Sequence, residues 1–272
     1  EMELVVIAIV YFFSCVAAFV DVGPEGRITK GKVAAPKQFP YQAGLRLYTS
    51  SGASWCGGSL ISHRWVLTAG HCTDNLTTGV EVYLGAWDIS DASENHQDII
   101  FVSARNVIVH EAWNAETISN DISLIKLPFP IDFNEYIQPV ALPKKSGQHD
   151  DYVGEQAIAT GWGLTSDKEE AITDKLRWIE VPVMPNSGCL RYYPDSIKES
   201  NICVRTIGGI STCNGDSGGP LVHKNDNNTT LIGITSFGYI YGCGCEVGWP
   251  GIFTRITSYL DWIEEHSGVV NN

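Results

Sequence analysis

Apolar and polar residues alternate in many short stretches of this chain, and segments rich in glycine and proline separate the stretches. A period of two is typical of a half-buried β-strand, because successive side chains point to opposite faces of a sheet. In the first half the pattern predicts strands over residues 41–48, 54–62, 65–68, 80–84, 99–109 and 121–127. In the second half it predicts strands over residues 156–160, 176–183, 201–205, 220–224, 231–236 and 251–257.

A connector that contains Pro128, Pro130, Pro139 and Pro143 joins the two sets of strands. Prolines punctuate extended connections because they interrupt both helices and strand ladders. Clear helical periodicity is confined to residues 258–266 near the C-terminus. Many short strands and one terminal helix therefore predict an all-β fold, built as barrels or as a sandwich.

The segment from Leu4 to Val20 is almost continuously apolar. Its position, and the small residues Ala17 and Ala18, favour a signal peptide over residues 1–18, so we expect a secreted, extracellular protein. A membrane-spanning helix needs about 20 apolar residues, which keeps a signal anchor as the alternative.

The 272 residues include 31 acidic and 18 basic side chains, which give a net charge of −13. An acidic surface repels nucleic acid and anionic membranes, so we expect neither as a partner once the signal peptide is removed. Eight cysteines are present, and Cys15 lies in the predicted signal peptide. The remaining seven are typical of an extracellular protein with disulfides and one cysteine left over.

A seven-residue segment, Asn214-Gly215-Asp216-Ser217-Gly218-Gly219-Pro220, surrounds one serine with glycines. A serine hydroxyl becomes an effective nucleophile when a base takes its proton and hydrogen-bond donors stabilise the oxyanion that forms. The glycines let the backbone turn so that the amides of Gly215 and Ser217 point at one spot. A simple glycine-rich turn has a similar composition, so the interpretation depends on partners elsewhere in the chain.

Two further segments supply those partners. His71 follows the apolar run 65–67 and a corner of small residues, and histidine accepts and returns a proton near neutral pH. Asp121 begins an alternating segment, where a buried carboxylate can orient an imidazole and stabilise its charged form. Each residue taken singly has an ordinary structural explanation. The three segments in the order His, Asp, Ser together indicate nucleophilic catalysis by Ser217.

From Arg27 to Ile263 the chain resembles the chymotrypsin-like serine proteases, and in several details the arthropod chymotrypsins and crab-collagenase-like digestive proteases. Besides the three segments above, the resemblance rests on residues 56–60, 161–163 and 235–238. It implies two six-stranded antiparallel β-barrels and a C-terminal α-helix. Barrel 1 is expected over about 28–135, barrel 2 over about 150–257 and the helix over about 258–266, within a protease domain spanning 28–272.

The resemblance also implies a role for each residue of the three segments. His71 is the expected general base, Asp121 its orienting partner and Ser217 the nucleophile. The backbone amides of Gly215 and Ser217 form the expected oxyanion hole.

Ser211 is expected, by the same resemblance, at the base of the primary substrate pocket, where trypsins carry an aspartate. The other expected pocket residues are Ser236, Phe237, Gly238 and Gly251. An arginine side chain in this uncharged slot would lose its hydration without gaining a counter-ion. The sequence therefore predicts a preference for aromatic and leucine side chains before the scissile bond. Glu246 lies near enough in sequence to leave trypsin-like or broad collagenolytic specificity open.

Arg27-Ile28 resembles the activation site of the family and ends an expected propeptide over residues 19–27. Cleavage after Arg27 by a trypsin-like activating protease frees the α-amino group of Ile28. This cation is expected to pair with Asp216 and to order the oxyanion hole, since an unpaired buried charge costs several kcal/mol.

The cysteine pairs that the resemblance implies are Cys56–Cys72, Cys189–Cys203 and Cys213–Cys245. Sequence alone leaves the connectivity open, and Cys243 remains as a free thiol, an alternative partner for Cys213 or a site of intermolecular pairing. Three asparagines meet the pattern for N-glycosylation: Asn75, Asn227 and Asn228.

No cofactor or metal is expected. Ala86 stands where calcium-binding trypsins carry a glutamate, and no histidine and cysteine spacing suggests zinc. The expected partners are protein or peptide substrates, the activating protease and protein protease inhibitors, and we expect a monomer.

The sequence thus predicts a secreted serine endopeptidase, made as a zymogen, with chymotrypsin-like preference and a digestive role. Two alternatives are a non-catalytic homologue that acts as a binding protein and a regulatory protease of an immune or clotting cascade.

Overall fold

The computed structural model describes residues 28–91, 93–94, 96–146, 150–226, 228–238 and 244–271. Several expectations fall outside these residues: the signal peptide, the propeptide with Arg27, the glycosylation site at Asn227, and Cys243 with most of its loop. In the part of the chain that the structure describes, no helix is long and apolar enough to cross a membrane.

Fourteen strands alternate with short helical segments along the described residues. The strands are β1 (Lys32–Val33), β2 (Gln42–Thr49), β3 (Gly52–Ser62), β4 (Trp65–Thr68), β5 (Leu76–Leu84), β6 (Asp98–Ser103), β7 (Val107–Val109), β8 (Ser123–Lys126), β9 (Gln156–Gly161), β10 (Arg177–Met184), β11 (Asn201–Val204), β12 (Pro220–Lys224), β13 (Thr229–Phe237) and β14 (Gly251–Arg255). The α-helices are α1 (Gly70–Thr73), α2 (Asn186–Cys189) and α3 (Leu260–Ser267). Four 3₁₀ turns are Ala104–Asn106, Ile207–Gly209, Gly244–Val247 and Ile256–Ser258.

The first barrel contains the strands in the order β6-β5-β2-β3-β4-β8-β7, with every neighbour antiparallel. The 3₁₀ turn Ala104–Asn106 alone separates β6 from β7. These two therefore act as one strand, broken where it leaves β5 and joins β8, and they close the sheet into six strands.

In the second barrel the strands follow the order β10-β11-β14-β13-β12-β9. The last strand, β9, also pairs with the first, β10, and this pairing closes the barrel. The prediction of two six-stranded antiparallel barrels is confirmed, and most predicted strands differ from the observed ones by only a few residues at each end.

The predicted boundary of barrel 1 needs one correction. Strand β1 pairs with β10, so that Lys32 lies opposite Trp178, and it forms an added seventh strand on the second barrel. Ile28 is fully buried in the same barrel, among Ala159, Val181 and other apolar side chains. The segment around residues 28–33 lies there because Ile28 buries its side chain in the second core and not in the first.

Helix α3 packs at the other end of the chain. Leu260 and Ile263 share its buried face, as the pattern predicts, and belong to the larger core cluster, which contains the buried side chains of the first barrel and several of the second, such as Leu231. The helix ends at Gly268, whose φ of 72° is the left-handed conformation that glycine adopts without strain, and its amide donates to the Glu264 carbonyl over 2.8 Å.

Candidate active site

His71 lies in the single turn of helix α1, directly after strand β4 ends at Thr68. Its backbone amide donates to Asp121 Oδ1 over 2.9 Å, and its Nδ1 lies 2.9 Å from Asp121 Oδ2. One carboxylate therefore fixes both the backbone and the ring of the histidine. Because the carboxylate accepts the proton on Nδ1, the other ring nitrogen, Nε2, is left to accept a proton.

Asp121 comes just before strand β8 and is 1% exposed. A third donor reaches it, the Ser236 hydroxyl, at 2.5 Å from Oδ2. The Thr254 hydroxyl of the second barrel donates to the Asp121 backbone carbonyl over 2.8 Å. The carboxylate is thus held at the junction of the barrels, and a buried anion with several donors is the arrangement that orients a base without leaving its own charge unsatisfied.

The pKa values of this pair follow from these contacts. Burial alone would raise the pKa of Asp121, but the charge and hydrogen bonds of His71, with the hydrogen bond of Ser236, lower it. Burial alone would lower the pKa of His71, but the hydrogen bond and charge of Asp121, with a smaller effect of Asp74, raise it above its ordinary value. The imidazole is therefore a stronger base than a free histidine.

The segment around Ser217 shows why glycines are needed there. Gly215 has a φ of 95° and Gly218 a φ of 76°, both in the region that favours glycine. A Cβ at Gly218 would lie 2.1 Å from Thr68 Oγ1 and 2.6 Å from the Gly57 carbonyl oxygen. The Gly57 amide in turn donates to the Ser217 carbonyl over 2.7 Å. Close backbone contact between the barrels thus holds the serine.

Ser217 and His71 line one cleft of about 690 Å³. The segments predicted from the sequence therefore meet here: Ser217 from the loop before β12, His71 from α1 and, directly behind it, Asp121.

Asp216 precedes Ser217 and is fully buried. Its carboxylate accepts hydrogen bonds from the amides of Gly163, at 2.8 Å, and Cys213, at 2.9 Å. Burial nevertheless raises the pKa of Asp216 to about 7, because two amide donors offset only part of the lost hydration. The site would therefore favour a cation beside this carboxylate.

The expected pocket residues all line the same cleft. Ser211 is 7% exposed, and its carbonyl accepts a hydrogen bond of 2.6 Å from the Thr29 hydroxyl, which fixes the pocket base against the N-terminal segment. Among the described residues, a side chain at Gly238 would meet no atom within 4 Å, whereas a Cβ at Gly251 would lie only 3.1 Å from Val204 Cγ2. The cleft wall is therefore open at Gly238, and at Gly251 the absence of a side chain lets the backbone lie close to Val204.

Ser236 has a second contact that the sequence did not indicate. It was expected as a pocket residue, and it does line the cleft, but its hydroxyl is directed at Asp121. A serine in an apolar strand needs a partner for its buried hydroxyl, and this need is the signal that could have suggested a role behind the pocket.

Sequence reasoning also missed an aromatic rim. Tyr193 donates through its hydroxyl to the Pro250 carbonyl over 3.0 Å, and its ring centre lies 5.7 Å from that of Phe237 and 5.6 Å from that of Trp249. Trp113 lines the cleft from the first barrel. Large aromatic residues in turn-rich segments, outside any predicted strand, are the signal that could have indicated this apolar surface.

Glu246 is directed away from the pocket. Its Oε2 accepts the amide proton of Asp167 over 3.1 Å, and Asp167 Oδ1 accepts that of Cys245 over 2.6 Å. Cys245 and Val247 line the cleft, whereas the Glu246 side chain is exposed on the far side of this turn.

Disulfides join Cys56 to Cys72, Cys189 to Cys203 and Cys213 to Cys245, the pairs that the resemblance implies. The first closes next to His71 and the third beside the cleft. Two groups of side chains among the described residues are close enough to share a metal ion. They are Cys56, His71 and Cys72, and Asp167, Cys213 and Cys245. Both include disulfide sulfurs, which are not thiolate ligands.

The loop after β5 is held by a carboxylate of its own. Glu94 accepts the amide protons of Trp87 and Asp88 over 3.0 and 2.9 Å. An internal anion thus organises the turn next to Ala86.

Comparison with known proteins relates this geometry to a family. The family model described as Trypsin matches residues 28–263. Brachyurin of Leptuca pugilator is 43% identical over 242 residues, which cover 89% of this chain and 99% of that protein. Serine protease 1 of Drosophila melanogaster is 41% identical over 245 residues, covering 90% and 87%. Collagenase of Hypoderma lineatum is 39% identical over 248 residues, covering 90% and 89%. The solved structure of HL collagenase superposes with a TM-score of 0.78 at 38% identity and covers 90% of this chain and all of that one.

Proposed function

This chain belongs to the trypsin family and is a serine endopeptidase, and from that premise we propose that it is a secreted digestive zymogen that cleaves after large apolar side chains. The observation that carries the proposal is the double contact of Asp121 with His71 beside an uncharged pocket that shares its cleft with Ser217.

The proposed chemistry uses each group in turn. Ser217 Oγ attacks the carbonyl carbon of the substrate and loses its proton to His71 Nε2. The amides of Gly215 and Ser217 stabilise the oxyanion, and His71 returns the proton to the leaving amine as the carbon–nitrogen bond breaks. Water, activated by the same histidine, then hydrolyses the acyl-enzyme and frees Ser217. Asp121 keeps the imidazole oriented and stabilises its cationic form throughout.

The proposed specificity follows from the charges around the pocket. Ser211 is uncharged, neither Gly238 nor Gly251 contributes a side chain to the walls, and Glu246 is engaged with Asp167 outside the cleft. An apolar side chain gains burial here, while an arginine loses hydration without a counter-ion. The open slot and the apolar rim of Tyr193, Phe237 and Trp249 support a preference for phenylalanine and leucine over arginine.

A panel of peptide anilides ending in Phe, Leu, Arg or Ala tests this specificity on protein that has been nicked with trypsin and freed of it. We expect kcat/KM for Phe or Leu to exceed that for Arg by about 100-fold. Ser211→Asp should favour Arg, because it adds the missing counter-ion at the pocket base. Ser211→Asn is the matched control of the same size without charge and should leave Arg poor.

An Arg preference in the unchanged enzyme would contradict the proposed pocket. The variant Glu246→Gln would then show whether that carboxylate supplies the charge. Native collagen, included beside denatured collagen, tests whether the activity named for the Hypoderma relative extends to this chain.

The proposed zymogen mechanism rests on Asp216 and on the segment that follows Arg27. Ile28 is buried, and Thr29 and Lys30 bond to the carbonyls of Ser211 and Gly208 over 2.6 and 2.5 Å. A new α-amino group at Ile28 would enter the low-dielectric region where Asp216 favours a cation. Pairing there compensates both charges and would stabilise the loop that carries the oxyanion-hole amides.

Asp216→Asn should therefore remove most of the activity gained on cleavage. Breaking a buried pair costs about 3–5 kcal/mol, so we expect roughly 100-fold or more lower kcat/KM in the cleaved variant. Cleavage should raise the Tm of the unchanged protein and leave that of the variant nearly constant. N-terminal sequencing must confirm Ile28 as the new end in both. Full activity of cleaved Asp216→Asn would contradict the mechanism.

Secretion is supported by the three disulfides, which persist in oxidising compartments, and by the family to which the chain belongs. This function requires protein or peptide substrates and an activating trypsin-like protease as partners. We also propose protein protease inhibitors as partners.

A further inference from the structure

Asn75 is exposed and lies four residues after His71. With Leu76 and Thr77 it forms an acceptor sequence for N-glycosylation. We propose that Asn75 carries an N-linked glycan and that this glycan restricts the side of the active site where the leaving group departs. The inference rests on the proposed secretion and protease function, and it adds a modification that sets the size of accepted substrates.

The position of Asn75 is the first argument. It lines the cleft that contains Ser211, and it also lines a second cavity of about 430 Å³ on the other side of Ser217. His71 and Ser217 border both cavities. Asn75 therefore stands where the two halves of the active site meet.

The second cavity receives the leaving group, because the pocket above Ser211 takes the side chain on the acyl side. Its outer wall is the tip of the β2–β3 hairpin, including Thr49, Ser50 and Ser51. Leu76 pairs with Thr49 in the sheet, so Asn75 lies next to this tip. A glycan rooted here extends over the second cavity.

The side chain of Asn75 is held in place at the rim. Its Nδ2 donates to Asp74 Oδ1 over 2.7 Å, while Trp113 Nε1 donates to Asp74 Oδ2 over 2.9 Å. A glycosylated amide keeps one N–H, so the bond to Asp74 can persist. The Trp113 indole, which donates to the other carboxylate oxygen of Asp74, occupies the acyl side of the cleft. A sugar on Asn75 is therefore directed toward the β2–β3 hairpin.

The glycan is supplied by a lipid diphosphate-linked oligosaccharide of the secretory pathway. A bond forms between Asn75 Nδ2 and the anomeric carbon of the first N-acetylglucosamine. The bond from that carbon to the diphosphate oxygen breaks, its electron pair leaves with the lipid diphosphate, and the amide loses one proton. Thr77 Oγ1 donates to the Tyr48 carbonyl over 3.0 Å in the folded protein. Transfer therefore precedes the pairing of β5 with β2 at this end.

Small and large substrates should respond differently. A peptide anilide places only a small aromatic amine in the second cavity and should be hydrolysed equally with or without the glycan. A substrate extended on its C-terminal side, or a folded protein, must pass the sugar. Asn228 is the other described glycosylation site, and it lines a separate cavity with Trp178 and Val222, away from Ser217.

The test uses the full chain secreted from a eukaryotic host, as wild type and as four variants. Asn75→Gln and Thr77→Ala remove the acceptor; Thr77→Ser keeps both the acceptor and the hydroxyl; Asn228→Gln removes the remote site. Mass spectrometry before and after glycosidase treatment measures the glycan on a peptide containing Asn75. Each form is nicked with trypsin and freed of it, and the kinetic readout is kcat/KM for an anilide and for the same acyl sequence extended by several residues.

We expect a glycosidase-sensitive mass on Asn75 in the wild type and in Thr77→Ser. The ratio of kcat/KM for the extended substrate to that for the anilide should rise about fivefold or more in Asn75→Gln and Thr77→Ala alone. An unmodified Asn75, or an occupied site with an unchanged ratio, would overturn the proposal. Absence of anilide hydrolysis in every form would overturn the protease function, while the mass still reports the glycan separately.

Discussion

Replacing Ser217 with alanine should lower kcat by about 10⁶-fold, the loss typical of removing a serine nucleophile that acts with a histidine as one unit. The alanine has no oxygen to attack the carbonyl carbon, so no acyl-enzyme should form. The amides proposed for the oxyanion hole should stay in place, because the turn depends on Gly215 and Gly218 and on the bond from Gly57 to the residue 217 carbonyl. Substrate binding should therefore survive while turnover is lost.

The measurement is single-turnover hydrolysis of a Phe anilide, together with the Kd of a competing product peptide. Ser196→Ala is the matched control, since Ser196 also lines the cleft but lies apart from His71 and Asp121 in the second barrel. It should retain activity within about twofold. The assignment would be contradicted if Ser217→Ala kept more than 1% of the wild-type activity and a serine-directed covalent reagent did not remove it. A fall to 1% of the wild-type rate corresponds to roughly 2.7 kcal/mol of lost transition-state stabilisation.

Replacing Asp121 with asparagine should lower kcat by about 10⁴-fold, because both the orientation of His71 and the charge beside it would change. An asparagine can donate to His71 Nδ1, which leaves the proton on Nε2 and prevents that nitrogen from accepting the Ser217 proton. The carboxylate also raises the pKa of His71, an effect that the variant loses.

The pH profile separates the two contributions. Activity requires neutral His71, so in the unchanged enzyme it should be lost as the pH falls through a pKa that lies above the ordinary value of a histidine, because Asp121 raises it. In Asp121→Asn this pKa falls, and the acid limb of the remaining activity moves to lower pH. Asp74→Asn is the control for charge alone: Asp74 also raises the pKa of His71, but it does not contact the ring. It should move the limb slightly downward and keep kcat at its plateau. An unshifted limb in Asp121→Asn would contradict this account.

The strands, and the meeting of the His71, Asp121 and Ser217 segments at one cleft, were predictable because each depends on a local pattern. Alternation places residues such as Leu45 and Val82 on one face of a strand, and the glycines around Ser217 report a backbone conformation that few other residues adopt. The expectation of an uncharged pocket base rests on one residue, Ser211, whose place the family resemblance implies and which does line the cleft.

The features that sequence reasoning missed depend on distant partners. Nothing in the local pattern shows that β1 pairs with β10, nearly 150 positions later, in place of its neighbours in sequence. The direction of the Ser236 hydroxyl depends on Asp121, and that of Glu246 on Asp167. Side-chain direction in a cleft between two barrels is set by packing across the junction, which a single segment does not encode.

Strand β1 and helix α3 give the chain a particular order of assembly. As the polypeptide leaves the ribosome, the first barrel appears early, yet the core cluster that contains its buried side chains also includes Leu260 and Ile263, which are made last. Ile28 and β1 precede both barrels in the sequence but must wait for β10. Each end of the domain therefore packs against a partner that is distant in sequence, and long-range closure of this kind makes folding slow. A recombination that replaced one barrel with that of a related protein would also have to replace its distant partner, strand β1 for the second barrel or helix α3 for the first.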